Sequence, residues 1–567
     1  MNIYIYYKDI FLDCINHLIV DKKIKSKITV EIPKQKNFGD ISFNAPLILG
    51  SSLNKSPLIL AEDFKKLILK SNKDFEKIEI AKPGFINLTF KKKTLLNFLN
   101  KIDNNFGEIK NIEKKKFNVE FVSANPTGPL HIGHFRGAIY GDILCNLLNY
   151  CGHSVTKEYY INDYGNQITL FLKSIYYRAI EILEKKNFPE DKGLYPGKYI
   201  IEITKEILKK TDTKVFVSFE NAKPHLSNLA INVAMNLIKN DLANMGVKHD
   251  LFISENDIVK KNILSKAITK LKNENALTKG VLPKPKGDSG DWEPREQLLF
   301  KSTNYGDDID RALQKSDNTW TYFANDIAYH YHKLDREYDH YINILGADHA
   351  GYIKRLTAAV TALDKNKKFQ IKISQIVKLY KSGKPFRMSK RAGDFILVND
   401  LLSAVGKDAA RFMMVYRSSQ SPLDFDFDVI NDKSKENPVF YVQYACARLN
   451  SLFSKSKFDI DKEIKNVQLD LLVHNEEINL IKKILQWPKI INLCYTNFEV
   501  HYIPFYLYEL SSEFHSFWNL GKEKDEFKII ENIDKDISKS RLFLLQKLYN
   551  ILKTGLNILD IKIPKQM

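Results

Sequence analysis

The sequence predicts an α/β protein: an open parallel sheet wound by helices, with a small α/β domain in front and an all-α bundle behind. Three observations carry this. Phe117, Val119 and Phe121 alternate like a strand, a Pro126-Thr127-Gly128-Pro129 breaker follows, and Ile139, Ile143, Leu144, Leu147 and Leu148 resume at helical spacing. Ile342 to Tyr352 (INILGADHAGY) reads as a second buried strand ending in a Gly-rich polar turn. From about residue 431 onward the apolar period is helical, beginning with Val442, Ala445, Leu449 and Leu452.

At 567 residues the chain exceeds what one core can serve, and three domains are expected at 1–112, 113–430 (insertion about 165–290) and 431–567. Hydrophobic residues at 44% and charged residues at 27% describe a soluble globular chain, and no apolar run reaches membrane-spanning length. The N-terminus carries Asp9 and Asp13 and lacks a basic head before an apolar block, so no secretory signal or transit peptide is expected. Cys14, Cys145, Cys151, Cys446 and Cys494 lack paired metal spacing; a reduced, cytoplasmic setting with no resident metal is expected. The net charge of +18 suits a polyanionic partner, although a composition rich in Lys, Ile and Asn accounts for part of it.

The first domain opens with an amphipathic helix (Phe11, Ile15, Leu18, Ile19). Asn37-Phe38-Gly39-Asp40 is a turn before an apolar helix, and Ile78 to Asn87 alternates like a strand around Pro83-Gly84. A lysine-rich stretch from Lys110 to Lys116 marks the boundary. The strand, turn and helix that follow make the first half of a nucleotide-binding βαβ unit, in which a helix N-terminus faces phosphate. The turn carries His131-Ile132-Gly133-His134 in place of Gly-x-Gly-x-x-Gly. His131 and His134, three apart, share one face of the first helical turn, and Gly133 leaves room for a flat base. Two imidazoles at the positive helix end suit an anion that gains charge during reaction. Taken alone, the pattern reads equally as two surface histidines at a helix cap.

His-Ile-Gly-His resembles the signature of class I aminoacyl-tRNA synthetases, and the run SANPTGPLHIGHFRGAIYGD resembles arginyl-tRNA synthetases in particular. The resemblance implies a Rossmann-type catalytic domain acting on ATP with Mg²⁺, L-arginine and tRNA(Arg). ATP would then lie along Ala124-Asn125-Pro126-Thr127-Gly128-Pro129-Leu130-His131-Ile132-Gly133-His134, with His131, Gly133 and His134 catalytic. Phe386-Arg387-Met388-Ser389-Lys390-Arg391 resembles the family's Lys-Met-Ser-Lys-Ser loop, with Arg387 for the first lysine and Arg391 for the last serine. The implied ATP contacts are Arg387, Met388, Ser389 and Lys390, and the catalytic Lys390 would neutralise charge on the departing pyrophosphate. Some arginyl enzymes carry that lysine just before the histidine motif instead; Gly128 stands there, so this chain is of the kind that keeps the loop.

Asn162-Asp163-Tyr164-Gly165-Asn166-Gln167 resembles a family polar cluster, and Asp163 reads equally as a helix N-cap. Helical segments near 167–185, 197–210 and 224–245 look like the class I insertion, and 288–296 around Trp292 like a turn-rich return to the sheet. Tyr322 and Asp326, four apart, project from one helix face as a phenol and a carboxylate suited to a guanidinium. As residues alone they read sooner as an ordinary surface pair with a helix-capping Asp; the resemblance reverses this, putting both on arginine-binding positions. Glu120 needs a cation or donor in its apolar strand, and is expected to flank the guanidinium opposite Asp326. Ser123, Asn125 and His134 would hold the α-amino and carboxylate groups. In the Gly-rich turn Gly346 and Asp348 would meet ATP, Asp348 through the ribose, while His349 falls on a polar contact to the amino acid.

The first domain resembles the additional N-terminal tRNA-binding domain of the family. Asn437 to Arg448 and Arg541 to Leu556 resemble its anticodon-binding bundle, with Tyr441, Gln443 and Arg448 as candidate base contacts. A cytoplasmic monomer with no membrane partner is expected. Another class I synthetase, a small nucleotidyltransferase and a non-catalytic RNA-binding paralogue are the alternatives; paired acids, the long helical tail and both signatures weigh against each in turn.

Overall fold

β1 (Lys116–Glu120) is buried on both faces from Phe117 to Glu120, as befits the middle strand of a five-stranded parallel sheet. After it come α1 (Ile132–Tyr150), β2 (Ser154–Ile161), α2 (Asn166–Glu184), α3 (Lys198–Leu208), α4 (Phe219–Asn244), β3 (Leu251–Ser254), α5 (Glu255–Lys260), α6 (Tyr322–Leu334), β4 (His340–Gly346), β5 (Lys368–Ser374) and α7 (Val398–Val405). The strands run parallel in the order β3-β2-β1-β4-β5. Strand order therefore reverses between β1 and β4, and a ligand crevice is expected beyond their carboxyl ends. The computed structural model describes residues 1–18, 21–109, 112–191, 193–283, 294–386, 396–456, 467–530 and 534–567. Ile19, Lys110, Trp292 and the loop residues Arg387, Met388, Ser389, Lys390 and Arg391 lie outside the described residues.

The chain divides into two compact units, Ile112–Asp432 and Met1–Asn111 with Lys433–Met567. In the first unit, α2, α3 and α4 share a core of Phe171, Ile175, Ile203, Ile207 and Leu226. The expected insertion over about 165–290 needs correcting, because Leu251–Ser254 returns to the parallel sheet as its edge strand beside β2. Strands 277–280, 297–300 and 311–314 form a separate antiparallel sheet, so the expected return to the parallel sheet at 288–296 comes instead at β4.

In the second unit, helix Ile3–Ile15 and a four-stranded antiparallel sheet (Val30–Glu31, Ile41–Phe43, Phe85–Phe90, Phe75–Ala81) carry the N-terminal core. The C-terminal helices are Pro438–Ser456, Asn475–Leu485, Trp487–Asn497, Tyr502–Glu523 and Lys535–Leu559. Chain ends meet inside this unit: Lys547 Nζ donates to the Ile102 carbonyl at 2.7 Å, and Lys482 pairs with Asp40 at 2.8 Å. Arg541 and Glu477 form a fully buried ion pair at 2.7 Å. Among the described residues no helix is long and apolar enough to cross a membrane.

Candidate active site

The chain leaves β1 through two left-handed residues, Val122 (φ 71°) and Ser123 (φ 41°). A β-branched residue there is a true outlier, costing about 1–3 kcal/mol, and such strain concentrates at functional sites. Ser123 Oγ then accepts from the Tyr160 peptide N–H and donates to Glu120 Oε1, both at 3.1 Å. The turn continues through Asn125, which donates to Gln167, and Gly128, where a Cβ would stand 2.8 Å from the Tyr199 ring. No side chain fits at that glycine without displacing Tyr199.

His131 caps α1. Its Nδ1 accepts from Gly133 N at 3.1 Å, and His134 Nδ1 accepts from His131 N at 3.4 Å. The imidazoles lie 4.0 Å apart between centroids. Burial lowers both pKa values, that of His134 to about 3 with His131 adding to the effect, so both rings are neutral at pH 7. With each Nδ1 accepting, the proton of each ring belongs on Nε2. The room left by Gly133 is taken by His131 itself, since a Cβ would lie 2.9 Å from its Cε1. Ile396 to Val398 run alongside this turn: Ile132 N donates to Ile396 O at 3.0 Å and Val398 N to Leu130 O at 3.2 Å.

Beyond β4, Asp348 and His349 are exposed, 3.4 Å apart, and Asp348 is close enough to act electrostatically on His134. On the other side of β1 lies a group of acids. Glu255, Asp326 and Glu120 surround the Tyr160 phenol and, after burial itself, keep it un-ionised. Asp326 is held by the Tyr352 hydroxyl; burial first, then Glu120, lifts its pKa to about 6 against a lesser pull from Arg355. Glu255 accepts from Asn325 Nδ2 at 3.1 Å, and burial with Asp326 lifts it to about 7. Neither has an ion-pair partner among the described residues. Tyr322, 76% exposed, stands at the head of the same helix.

Glu120 is compensated from within. Lys333 Nζ lies 2.6 Å from its Oε2 and Tyr329 Oη 2.8 Å from the same oxygen. Buried Glu158 completes the cluster: Arg336 lies 2.8 Å away and Tyr329 Oη 2.5 Å. Two carboxylates thus face two cations. Sequence reasoning missed Glu255, Tyr160, Tyr329 and Lys333. Glu255 follows Ser254, whose hydroxyl caps Asp257, so the stretch reads as an ordinary helix start. Tyr329 and Lys333 continue the stripe begun by Tyr322 and Asp326, a signal that was available. Asp163 does not cap α2, whose N-cap is Gly165; its carboxylate serves Ser254 Oγ (2.7 Å) and Asn256 N (3.0 Å).

In the helical bundle Tyr441 packs on His515 (4.4 Å), Gln443 donates to Lys562 O (3.0 Å) and Arg448 donates to Tyr444 Oη (2.7 Å). All three are half-buried and committed to the bundle.

A family model described as "tRNA synthetases class I (R), catalytic domain" matches residues 95–421, "Arginyl tRNA synthetase N terminal domain" 6–90, and "DALR anticodon binding domain" 442–567. The chain is 48% identical over 578 aligned residues to an arginine--tRNA ligase of Pelagibacter ubique, covering 100% of both chains. A Campylobacter jejuni structure described as an arginyl-tRNA synthetase superposes with a TM-score of 0.73 at 31% identity, over 84% of this chain and 100% of that one. The Thermus thermophilus arginyl-tRNA synthetase shares the fold at TM-score 0.75 and 18% identity, over 99% of each chain. With a catalytic-domain model spanning more than half its length and a relative at this identity from end to end, the chain belongs to the arginyl-tRNA synthetase family.

Proposed function

We propose that this protein ligates L-arginine to tRNA for protein synthesis, in two steps. The arginine carboxylate attacks the α-phosphorus of ATP, taken as its Mg²⁺ complex; a P–O bond forms and pyrophosphate leaves. The terminal ribose hydroxyl of the tRNA then attacks the arginyl carbonyl and AMP departs. No side chain need bond to substrate, so the protein supplies position and charge. The observation that carries the reading is a pair of acids without an ion-pair partner among the described residues (Asp326 and Glu255 around Tyr160) at the end of β2, together with a helix start capped by two neutral imidazoles.

His131 and His134 act on the α-phosphate as neutral Nε2–H donors, a role supported by the acceptor duty of each Nδ1. Lys390 acts on the pyrophosphate; in support, Ile396, six residues later, is hydrogen-bonded to Ile132, a span of ~20 Å at full extension. Ala124 to Pro129, Gly346, Asp348 and Arg387 to Ser389 complete the ATP site on the strength of the resemblance. In the arginine pocket Asp326 and Glu255 take the guanidinium and Tyr322 covers it. Ser123, Asn125 and His349 meet the amino-acid backbone. Glu120, whose charge Lys333 already balances, orients Ser123 and adds negative potential. Tyr441, Gln443 and Arg448 remain tRNA candidates through resemblance alone. A cytoplasmic monomer completes the proposal; the described ATP- and arginine-site residues all belong to the unit Ile112–Asp432 of one chain.

ATP–pyrophosphate exchange tests the reading. Exchange should require arginine and tRNA together and fail with lysine or ornithine, which leave buried acceptors unpaired. Exchange with another amino acid in place of arginine would overturn it. His134→Ala should lower the rate ~10²–10³-fold.

A further inference from the structure

The mechanism leaves one buried carboxylate unused. Asp241, near the end of α4, is 5% exposed and has no ion-pair partner among the described residues. Its Oδ2 accepts from Leu130 N and its Oδ1 from Asn399 Nδ2, both at 2.9 Å. Leu130 immediately precedes His131; Asn399 lies in the first turn of α7, four residues beyond the undescribed segment 387–395. Asn244, one turn further along α4, donates to Asn399 Oδ1 at 2.9 Å. The two segments so joined also pair through Ile132 N to Ile396 O, Val398 N to Leu130 O and a bridge between His131 and Leu397.

A carboxylate buried without a cation is costly unless donors meet it, and burial does raise the pKa of Asp241. Here each oxygen meets a donor from a different segment. A backbone pairing this short is weak by itself, so a third element is needed to hold its register. We propose that Asp241 is a positioning residue: with Asn399 it sets the register between the His131–His134 turn and the segment that closes the loop bearing Lys390. The helical insertion, through α4, then helps to set the catalytic distance. This rests on the function proposed above.

Asn399→Ala is the cleaner variant, because Asn399 is exposed and its loss leaves the core intact. With tRNA present, kcat for arginine-dependent pyrophosphate exchange should fall on the order of 10-fold while the KM for arginine stays within about twofold, since misplacement slows the transition state without emptying the amino-acid pocket. Asp241→Asn combined with Asn399→Asp should restore kcat, as the new amide can accept from Leu130 N and donate to residue 399. Amide hydrogen exchange of peptide 128–134 gives a readout without catalysis, and should quicken in Asn399→Ala. Wild-type kcat in Asn399→Ala, no recovery in a folded double variant, or undiminished amide protection would each overturn the proposal. A wild-type enzyme inactive with arginine would instead remove the functional reading, and the amide protection would still decide the clasp.

Discussion

Two sets of acids, all buried but the half-buried Asp326, lie about Tyr160 and Tyr329, whose rings are 4.2 Å apart. Glu120 and Glu158 are met by Lys333 and Arg336. Asp326 and Glu255 have hydroxyl and amide donors but no ion-pair partner among the described residues, and the pull of Arg355 on Asp326 is too weak to offset burial. Burial alone would raise Glu158, yet Lys333 and Arg336 outweigh it and hold its pKa at about 2. The other pair goes up, to about 6 and about 7. A set that is neutral within itself is scaffold; a set left negative is prepared for a cation the fold does not supply. That difference separates the proposed arginine pocket from its support more sharply than distance does.

The largest effect should come from opening the closed set. Lys333→Met leaves Glu120 and Glu158 with Arg336 as the remaining cation and should destabilise the protein by ~3–5 kcal/mol, read by urea unfolding. A loss under 1 kcal/mol would mean that the cluster is not the electrostatic unit described. Asp326→Asn acts on the other set and should separate stability from function. It removes a charge that no ion pair compensates and that burial disfavours more than Arg355 favours, so the free protein should be no less stable above about pH 7. It should raise the KM for arginine ~10–10²-fold, the worth of one charged hydrogen bond.

How much of this could be read beforehand differs between the sets as well. The strand, turn and capping helix of the histidine motif were legible because period, breaker and cap are local. Tyr322 and Asp326 were legible as a helical stripe. Glu255 was not, because its pocket forms only when β3 pairs with β2, and an edge strand of four residues (Leu251–Ser254) leaves little periodic signal. Asp241 was hidden for the same reason: its partners Leu130 and Asn399 lie 111 and 158 residues away. The awkwardness of Glu120 in an apolar strand was visible from sequence; the cation that resolves it, Lys333, is 213 residues along.

The two sets should also respond to pH with opposite sign. Glu158, depressed to about 2, stabilises the fold above its unfolded pKa of ~4.3, and that contribution fades as pH falls toward 2. Asp326 and Glu255 are raised, so their contribution is complete below ~4 and lost as pH rises through about 6 to 7. Arginine should restore what is lost, because a guanidinium replaces the proton. The shift in Tm on adding saturating arginine should therefore grow between about pH 5 and pH 8, and the KM should fall over the same range. A Tm shift that is flat with pH would mean that the pocket carries no displaceable proton.

The smallest effect belongs to the group shared between the acids of the closed set. Tyr329 Oη lies within hydrogen-bond distance of both Glu120 and Glu158, but a phenol has one proton to give. It can satisfy one carboxylate at a time, while Lys333 and Arg336 hold the other. Removing it with Tyr329→Phe keeps the ring packed against Tyr160 and leaves both cations in place. The expected loss is therefore that of a single hydrogen bond to a charged group, ~1.5–2 kcal/mol in unfolding free energy. Asp326 and Glu255 keep their own donors in this variant, so the arginine KM should change by less than about threefold, under 1 kcal/mol. A KM that rose as far as in Asp326→Asn would join the two sets into one electrostatic unit, and the distinction between pocket and scaffold would fail.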